Sequence, residues 1–399
     1  MKKSQGAIPR EEILRMIEED AKPGLCVLCG KCASLCPSFR EWQREIYSPR
    51  GRMALLNAFL RGEIAPGDEF FSSLLYCLGC GACEKTCPAR VRPRWANLLL
   101  KNLPEFQGVH AKLRKSLRDS EKRDFPVSLI RKYFDLQHKP QKPFSQTRKR
   151  NLHKQTKNLH EVLYFPSCIR RHFLPDSCES LALLLEKAGC RVFVPEKVSC
   201  CGLPHVFTGE LGLARDLAGC NMKLFDEYKD ISIVCDCASC ALIIKSYPLL
   251  FPKGTQSRDQ ADALSSRVHL ISEFLLKIGF LFEGETSVED IRLAYLDSGA
   301  LRYGLGAAKA PRKILDALPG VNRMETPGDV SCPGVGLWSL SENKDFLDSM
   351  FNRKILDFCT KKKVETLIVE DSLCQLILSR HMPSIQILSF SEFVLSRLP

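Results

Sequence analysis

The sequence predicts an α+β multidomain protein, with an all-helical N-terminal domain followed by two tandem α/β lobes. Three observations predict it. Two tight runs of four cysteines fall before residue 90, separated by about forty residues of helical pattern. From residue 162 onward, strand-like and helical stretches alternate, the pattern of parallel-sheet lobes. Marks of the first lobe then recur in the second at a matching offset.

Composition sets the bounds. The 399 residues are 45% apolar, 26% charged and 8% aromatic, which excludes disorder, collagen and coiled coil as global descriptions. A chain of this length is expected to form two or three domains. Cysteine is the departure, at 20 residues, in a chain too long for a small disulfide scaffold. The first twenty residues lack the apolar core of a signal peptide. No apolar run is long enough to span a membrane; the nearest, 270–282, is broken by Glu273 and Lys277. A cytoplasmic protein is therefore expected, with thiols serving as metal ligands or redox groups rather than as disulfides.

The expected N-terminal domain covers residues 1–100. Its first run reads Cys26-Val-Leu-Cys29-Gly-Lys-Cys32-Ala-Ser-Leu-Cys36-Pro37, its second Cys77-Leu-Gly-Cys80-Gly-Ala-Cys83-Glu-Lys-Thr-Cys87-Pro88. Both are C-x2-C-x2-C-x3-C-P, the run that binds paired [4Fe–4S] clusters and whose fourth cysteine serves the other cluster. Cys26, Cys29, Cys32 and Cys87 are thus expected at one cluster, and Cys77, Cys80, Cys83 and Cys36 at the other. Gly30, Gly79 and Gly81 let the backbone approach closely. Zinc needs four thiolates, usually as two C-x2-C pairs, and explains neither the third cysteine at the same step nor the proline. Between the runs, Ser48-Pro49 marks a helix start, and apolar residues at 53, 55, 56, 59 and 60 form a helical stripe. The domain is therefore expected to be an all-helical two-cluster ferredoxin domain. Arg50 and Arg52 can offset cluster charge or dock a partner, or serve as solvated or capping residues.

Residues 101–160 contain no cysteine and carry 16 Lys or Arg against 5 Asp or Glu, nearly all of the chain's net +12. With four prolines, this reads as a basic linker, partly helical over 109–133. It is either a solvated connector or a docking surface for an acidic partner subunit or anionic lipid. No recognition motif or interleaved aromatic pattern accompanies the charge, so nucleic acid is not expected.

The first cysteine-rich lobe is expected over 161–285 and the second over 286–399. In the first, Tyr164-Phe-Pro-Ser-Cys168 is followed by Cys200-Cys201-Gly202 and Cys237-Ala-Ser-Cys240; in the second, Tyr295-Leu-Asp-Ser-Gly299 is followed by Ser331-Cys332-Pro333 and Asp371-Ser-Leu-Cys374. The step from 168 to 201 equals the step from 299 to 332, and each copy ends in Ser-Glu-Phe, at 272–274 and 391–393. Strands are expected over 162–165, 191–194, 231–235, 291–296, 367–370 and 385–388. Ligand sites in such sheets lie at the carboxyl ends of strands, where Cys168 and Cys237 fall. Cys168, Cys200, Cys201, Cys237 and Cys240 are the candidate metal ligands, with a cluster and zinc as alternatives. Cys178, Cys190, Cys220 and Cys235 are expected to be structural, and His205 is expected to be an incidental loop residue, with a proton donor near the thiol site as the alternative. Gly299, Ser331 and Asp371 replace ligands in the second copy. Cys332 and Cys374 alone cannot hold a cluster, so this lobe is expected to bind none and to complete the wall of the first site. No P-loop is present, and Gly304-Leu-Gly306 is a weak dinucleotide signal. No catalytic residue is assigned, and any flavin must come from elsewhere.

Together these motifs, with Ser48-Pro-Arg-Gly-Arg52 and Cys200-Cys-Gly-Leu-Pro204, resemble the iron–sulfur subunit of the glycolate/lactate dehydrogenase family. That family shares its cysteine-rich (CCG) modules with heterodisulfide reductase subunits. The resemblance extends from about residue 25 to 395. It implies an electron-transfer subunit: an FAD-binding partner oxidises a 2-hydroxy acid, and electrons pass through two [4Fe–4S] clusters toward a quinone or other carrier, with peripheral membrane contact a further option. By the same resemblance, Cys168, Cys200, Cys201, Cys237 and Cys240 could hold a third, non-cubane [4Fe–4S] cluster. The alternative implied function is a catalytic heterodisulfide-reductase-like thiol–disulfide oxidoreductase, which the degenerate second copy disfavours.

Overall fold

Prolines start the helices of the N-terminal region. The computed structural model describes residues 8–109, 111, 114–115, 160–280, 290–328, 331–332, 334 and 353–398. Helices α1 (Arg10–Met16), α2 (Pro37–Trp42), α3 (Pro49–Leu60), α4 (Asp68–Leu75), α5 (Ala82–Lys85) and α6 (Pro93–Leu100) come first, and the described residues up to 115 contain no strand. Proline opens α2, α3 and α6, where its missing N–H costs nothing because first-turn donors have no intrahelical partner. The predicted stripe in α3 is seen with Met53 and Leu56 buried and Leu55, Phe59 and Leu60 packed against the core.

Phe59, Phe70 and Phe106 meet edge to face, with centroids 5.0 to 6.3 Å apart, a geometry that adds about 0.5–1.5 kcal/mol per pair beyond simple burial. Phe106 lies in the segment expected as linker. So do Leu103, Val109, Lys101 and Arg114, all buried. Arg114 donates from Nε to Glu210 (2.8 Å) and from its Nη atoms to the carbonyls of Lys101 and Gly209, which ties this segment to the first lobe. The rest of the basic segment, 116–159, lies outside the described residues.

The C-terminal part contains two four-stranded parallel sheets. Strands β1 (His160–Phe165), β2 (Cys190–Phe193), β3 (Ser232–Cys235) and β4 (Val268–Leu270) are ordered β2-β1-β3-β4. Strands β5 (Ile291–Tyr295), β6 (Val321–Met324), β7 (Thr366–Val369) and β8 (Gln386–Ser389) are ordered β6-β5-β7-β8. The same order twice is the structural form of the sequence repeat. Register is set by pairs such as Val162↔Val192, Val162↔Ser232 and Leu293↔Thr366. β7 is buried along its whole length, as expected of a parallel strand covered on both faces.

The repeated Ser-Glu-Phe also has a reason. Glu273 and Glu392 stand in the first turns of helices Ile271–Lys277 and Phe390–Ser396, and each accepts from the backbone N–H that precedes its helix. The phenylalanines that follow, Phe274 and Phe393, are core residues. In both sheets the strand order reverses between the first and third strands of the lobe, so the crevice for a ligand opens beyond their carboxyl ends.

Candidate cluster and thiol sites

The two N-terminal cysteine runs line two adjacent cavities and exchange their fourth members. Cys26, Cys29, Cys32 and Cys87 line the outer one, together with Gly30, Lys31 and Arg50. Cys36, Cys77, Cys80 and Cys83 line the inner one, together with Arg52, Arg94 and Asn97. Cys83 borders both cavities. Gly30 and Gly81 adopt φ of +80° and +82°, which lets each loop turn sharply back toward its cavity. Cys29 is exposed, and Leu25, Val27 (76% exposed) and Leu28 surround it, so the outer cavity opens to the surface.

The Ser48-Pro-Arg-Gly-Arg52 segment builds one wall of the inner cavity. Ser48 caps α3 by accepting from Gly51 N at 2.8 Å. Arg50 turns outward and pairs with Glu45 through two bonds of 2.7 and 2.8 Å. Arg52 turns inward and is 2% exposed. Its Nε donates to the Ser73 carbonyl at 2.7 Å and its Nη1 to Cys36 Sγ at 3.9 Å, while Nη2 has no partner among the described residues. Arg94 pairs with Glu84 at 3.2 Å, and its buried Nε is likewise without a partner among the described residues. Asn97 donates to Cys77 Sγ at 3.5 Å.

Electrostatics bear on whether a cluster fits. Burial would push the Cys77 thiol up, but Arg52 and Lys101, the Gly79 N–H and Asn97 outweigh it and hold the thiol below its ordinary value. Burial pushes Cys80 up to about 12 and Cys32 up to about 11, with crowded neighbouring thiols adding to both. Thiols packed this closely do not ionise together without a metal to take their charge. A buried guanidinium facing four such thiols needs an anionic group to satisfy it. The donor set therefore fits an iron–sulfur group, which carries net negative charge with four thiolates.

The third site sits where strand order reverses in the first lobe. Cys168 follows the end of β1, and Cys237 and Cys240 follow β3. Cys200 and Cys201 come from the loop after β2, turned by Gly202 at φ +87°. The five thiols of Cys168, Cys200, Cys201, Cys237 and Cys240 line one cavity. All five are buried. Thiol donors at Cys168 and Cys201 hold Cys200 well below its ordinary value. His205 is not in a loop: it lies in helix Leu203–Thr208, buried, and burial lowers its pKa. Cys178, Cys190 and Cys235 are buried apart from this cavity, and Cys220 is half-buried.

The second lobe supplies the other wall. Gly334, Asp371, Ser372 and Leu373 line the thiol cavity. Ser372 donates to Cys237 Sγ from N at 3.5 Å and from Oγ at 3.2 Å. In return, Asp371 accepts from Ser239 N at 3.2 Å and from the Ser239 hydroxyl. Beneath the loops, Tyr164 donates to Asp236 at 2.6 Å, and Tyr295 donates to Glu370 at 2.7 Å. Glu370 also accepts from Ser272 N and Oγ, and burial pushes its carboxyl up to about 7.

One expectation is corrected here. Cys332 and Cys374, expected as separate thiols, are buried and paired sulfur to sulfur as a disulfide would be. They are the counterparts of Cys201 and Cys240 in the repeat. The loop that starts with Gly299 rests on the inner cavity: a Cβ at Gly299 would lie 2.6 Å from Cys80 Cβ.

Sequence reasoning missed Arg94, Asn97, Lys101 and Ser372 as parts of these sites. It singled out Asp371 only as a lost ligand.

A helical domain with two cysteine-lined cavities, joined to a parallel-sheet lobe with a five-thiol pocket and a second lobe closing it, defines an iron–sulfur protein. Residues 24–91 match the family model of a 4Fe-4S dicluster domain, and residues 162–245 and 294–379 each match that of a cysteine-rich domain. The chain thus combines one match to a dicluster domain with two matches to a cysteine-rich domain. It is 26% identical over 398 residues to the probable glycolate oxidase iron-sulfur subunit of Bacillus subtilis, covering 86% of this chain and 85% of that one. It is 26% identical over 365 residues to a fumarate reductase (CoM/CoB) subunit of Methanothermobacter marburgensis, covering 88% of this chain and 66% of that one. It is 24% identical over 248 residues to lactate utilization protein A of Bacillus subtilis, covering 59% of this chain and 100% of that one. Its relatives include oxidoreductase subunits. Among the described residues, no helix is long and apolar enough to cross a membrane.

Proposed function

We propose that this chain is the electron-transfer subunit of a flavin-linked 2-hydroxyacid dehydrogenase, acting on glycolate or lactate through an FAD-binding partner subunit. The observation that carries the proposal is the crosswise lining of two adjacent cavities by eight cysteines. Cys26, Cys29, Cys32 and Cys87 would hold the outer [4Fe–4S] cluster, and Cys36, Cys77, Cys80 and Cys83 the inner one. Such clusters supply one-electron transfer when bound. The protein's own residues set the rest. The exposed loop around Cys29 leaves the outer site within reach of a partner. Arg52 and Arg94 offset negative charge at the inner site, and Gly299 lets the second lobe close on Cys80. Cys168, Cys200, Cys201, Cys237 and Cys240 would hold a third, non-cubane cluster. The basic segment 101–160 supports contact with an acidic partner or, peripherally, with anionic lipid. The proposed final acceptor is a quinone or other carrier.

A heterodisulfide-reductase-like reading has one observation in its favour, the cavity lined by five thiols. The second lobe offers no matching thiol set, so the electron-transfer reading is preferred.

The test is anaerobic purification with iron and sulfide assay. About eight irons per chain are expected from the two cubanes, and about four more if the thiol site holds its cluster. Fewer than about four would reject the proposal.

A further inference from the structure

Each N-terminal site is assigned four thiols, with Cys83 bordering both cavities, so what separates the sites is their surroundings. The outer one is flanked by the exposed Cys29, Val27 and Leu28. The cations lining it are Lys31, which is exposed, and Arg50, which is half-buried and already neutralised by two bonds to Glu45. The inner one is lined by the buried Cys36 and Arg52, with Gly299 of the second lobe against Cys80, and burial of its lining disfavours added negative charge there. Arg52 is the exception in its makeup. It is buried, donates to a backbone carbonyl and to Cys36 Sγ, and among the described residues pairs with no carboxylate. Arg94, by contrast, shares its charge with Glu84. A cation without a carboxylate partner in a buried site acts on its neighbours with little screening.

We infer that Arg52 is the fixed counter-ion of the inner centre, offsetting the penalty of burial so that an electron arriving at the exposed site can pass inward to the site against the second lobe. The inference rests on the cluster assignment proposed above. The step is the addition of one electron to the group held by Cys36, Cys77, Cys80 and Cys83, with no bond made or broken; Arg52 keeps its proton throughout. Hydrogen bonds and positive charge directed at cluster thiolates raise reduction potential. Position on α3 assigns this role to Arg52 rather than Arg50: Arg52 shares the buried face with Pro49, Met53 and Leu56.

The test is an EPR-monitored reductive titration with dithionite of the anaerobic full-length protein, comparing wild type with Arg52→Gln, Arg52→Lys and Arg50→Gln. Arg52→Gln is expected to move one of two midpoints to lower potential, Arg52→Lys to restore part of the shift, and Arg50→Gln to move neither. The centre that moves should be the one missing from Cys80→Ala. Unmoved midpoints in Arg52→Gln at full iron content would overturn the inference, as would a shift confined to the centre that survives in Cys80→Ala. So would loss of iron and of far-UV circular dichroism in both Arg52 variants, which would make the residue a folding element. A wild-type protein without two centres would instead sink the cluster assignment, and the two failures are separable in the same titration.

Discussion

Gly299→Ala isolates the contact between the second lobe and the inner cavity. Gly299 has helical backbone angles, φ −57° and ψ −35°, at the head of the π-helical turn Ala300–Leu305. In open space the change would stabilise the protein by roughly 0.4–1 kcal/mol, because alanine has less backbone entropy to lose. The space is not open. The new methyl would lie 2.6 Å from Cys80 Cβ and 3.3 Å from Cys80 Cα. Neither atom is the free end of a flexible side chain, so the loops must part by several tenths of an ångström. Overpacking of this kind costs about 1–3 kcal/mol, which exceeds the entropic gain over most of its range. Net destabilisation on the order of 1 kcal/mol is therefore expected, and it falls on a proposed cluster ligand. Gly299→Ala should lower the thermal midpoint of the holoprotein and speed loss of iron to a chelator. A variant that melts at or above the wild-type temperature with unchanged iron release would refute the packing argument. The same geometry explains why a cysteine cannot return to position 299 without displacing Cys80.

Other consequences can be checked independently. Glu370 has its carboxyl raised from 4.5 to about 7 in the fold, so the stability gained by keeping it protonated is full below about 4.5 and lost as pH rises through 7. Glu370→Gln should flatten a pH slope worth on the order of 3 kcal/mol across that window, read from urea midpoints at several pH values; an unchanged slope would contradict it. Arg114→Ala removes the buried 2.8 Å pair with Glu210 and should cost about 3–5 kcal/mol, part of which Glu210→Gln in the same chain recovers. Equal stability of Arg114→Ala and wild type in urea would rule that out. Cys200→Ser should remove only the iron in excess of about eight per chain and leave the EPR of the two N-terminal centres in place; loss of those signals would show that the sites are not separate.

Spacing alone exposed much of this architecture. The two cysteine runs carry their chemistry in the repeat of two-residue gaps and the final proline, and the equal steps from 168 to 201 and from 299 to 332 foreshadowed two sheets of the same strand order. β4 and β6 escaped notice because they are short and irregular in pattern: Val-His-Leu merges into the helix that follows it, and Val-Asn-Arg-Met is a polar edge strand. The opposite fates of Arg50 and Arg52 were readable, since positions 49, 52, 53 and 56 share one helical face. The Cys332–Cys374 pairing was also within reach, because the repeat aligns the pair with Cys201 and Cys240; the expectation of a reducing compartment hid it. Lys101 and Arg114 were obscured for a different reason. Counted by charge, they belong to a basic linker, and only tertiary packing against Phe207 and Glu210 reveals them as core.

The most direct test of the account is low-temperature EPR of the dithionite-reduced, oxygen-free protein, taken together with its metal content. Two iron–sulfur signals broadened by each other are expected, since the proposed centres share Cys83 as a common wall. An EPR-silent protein containing zinc in place of iron, or a single isolated signal, would contradict it.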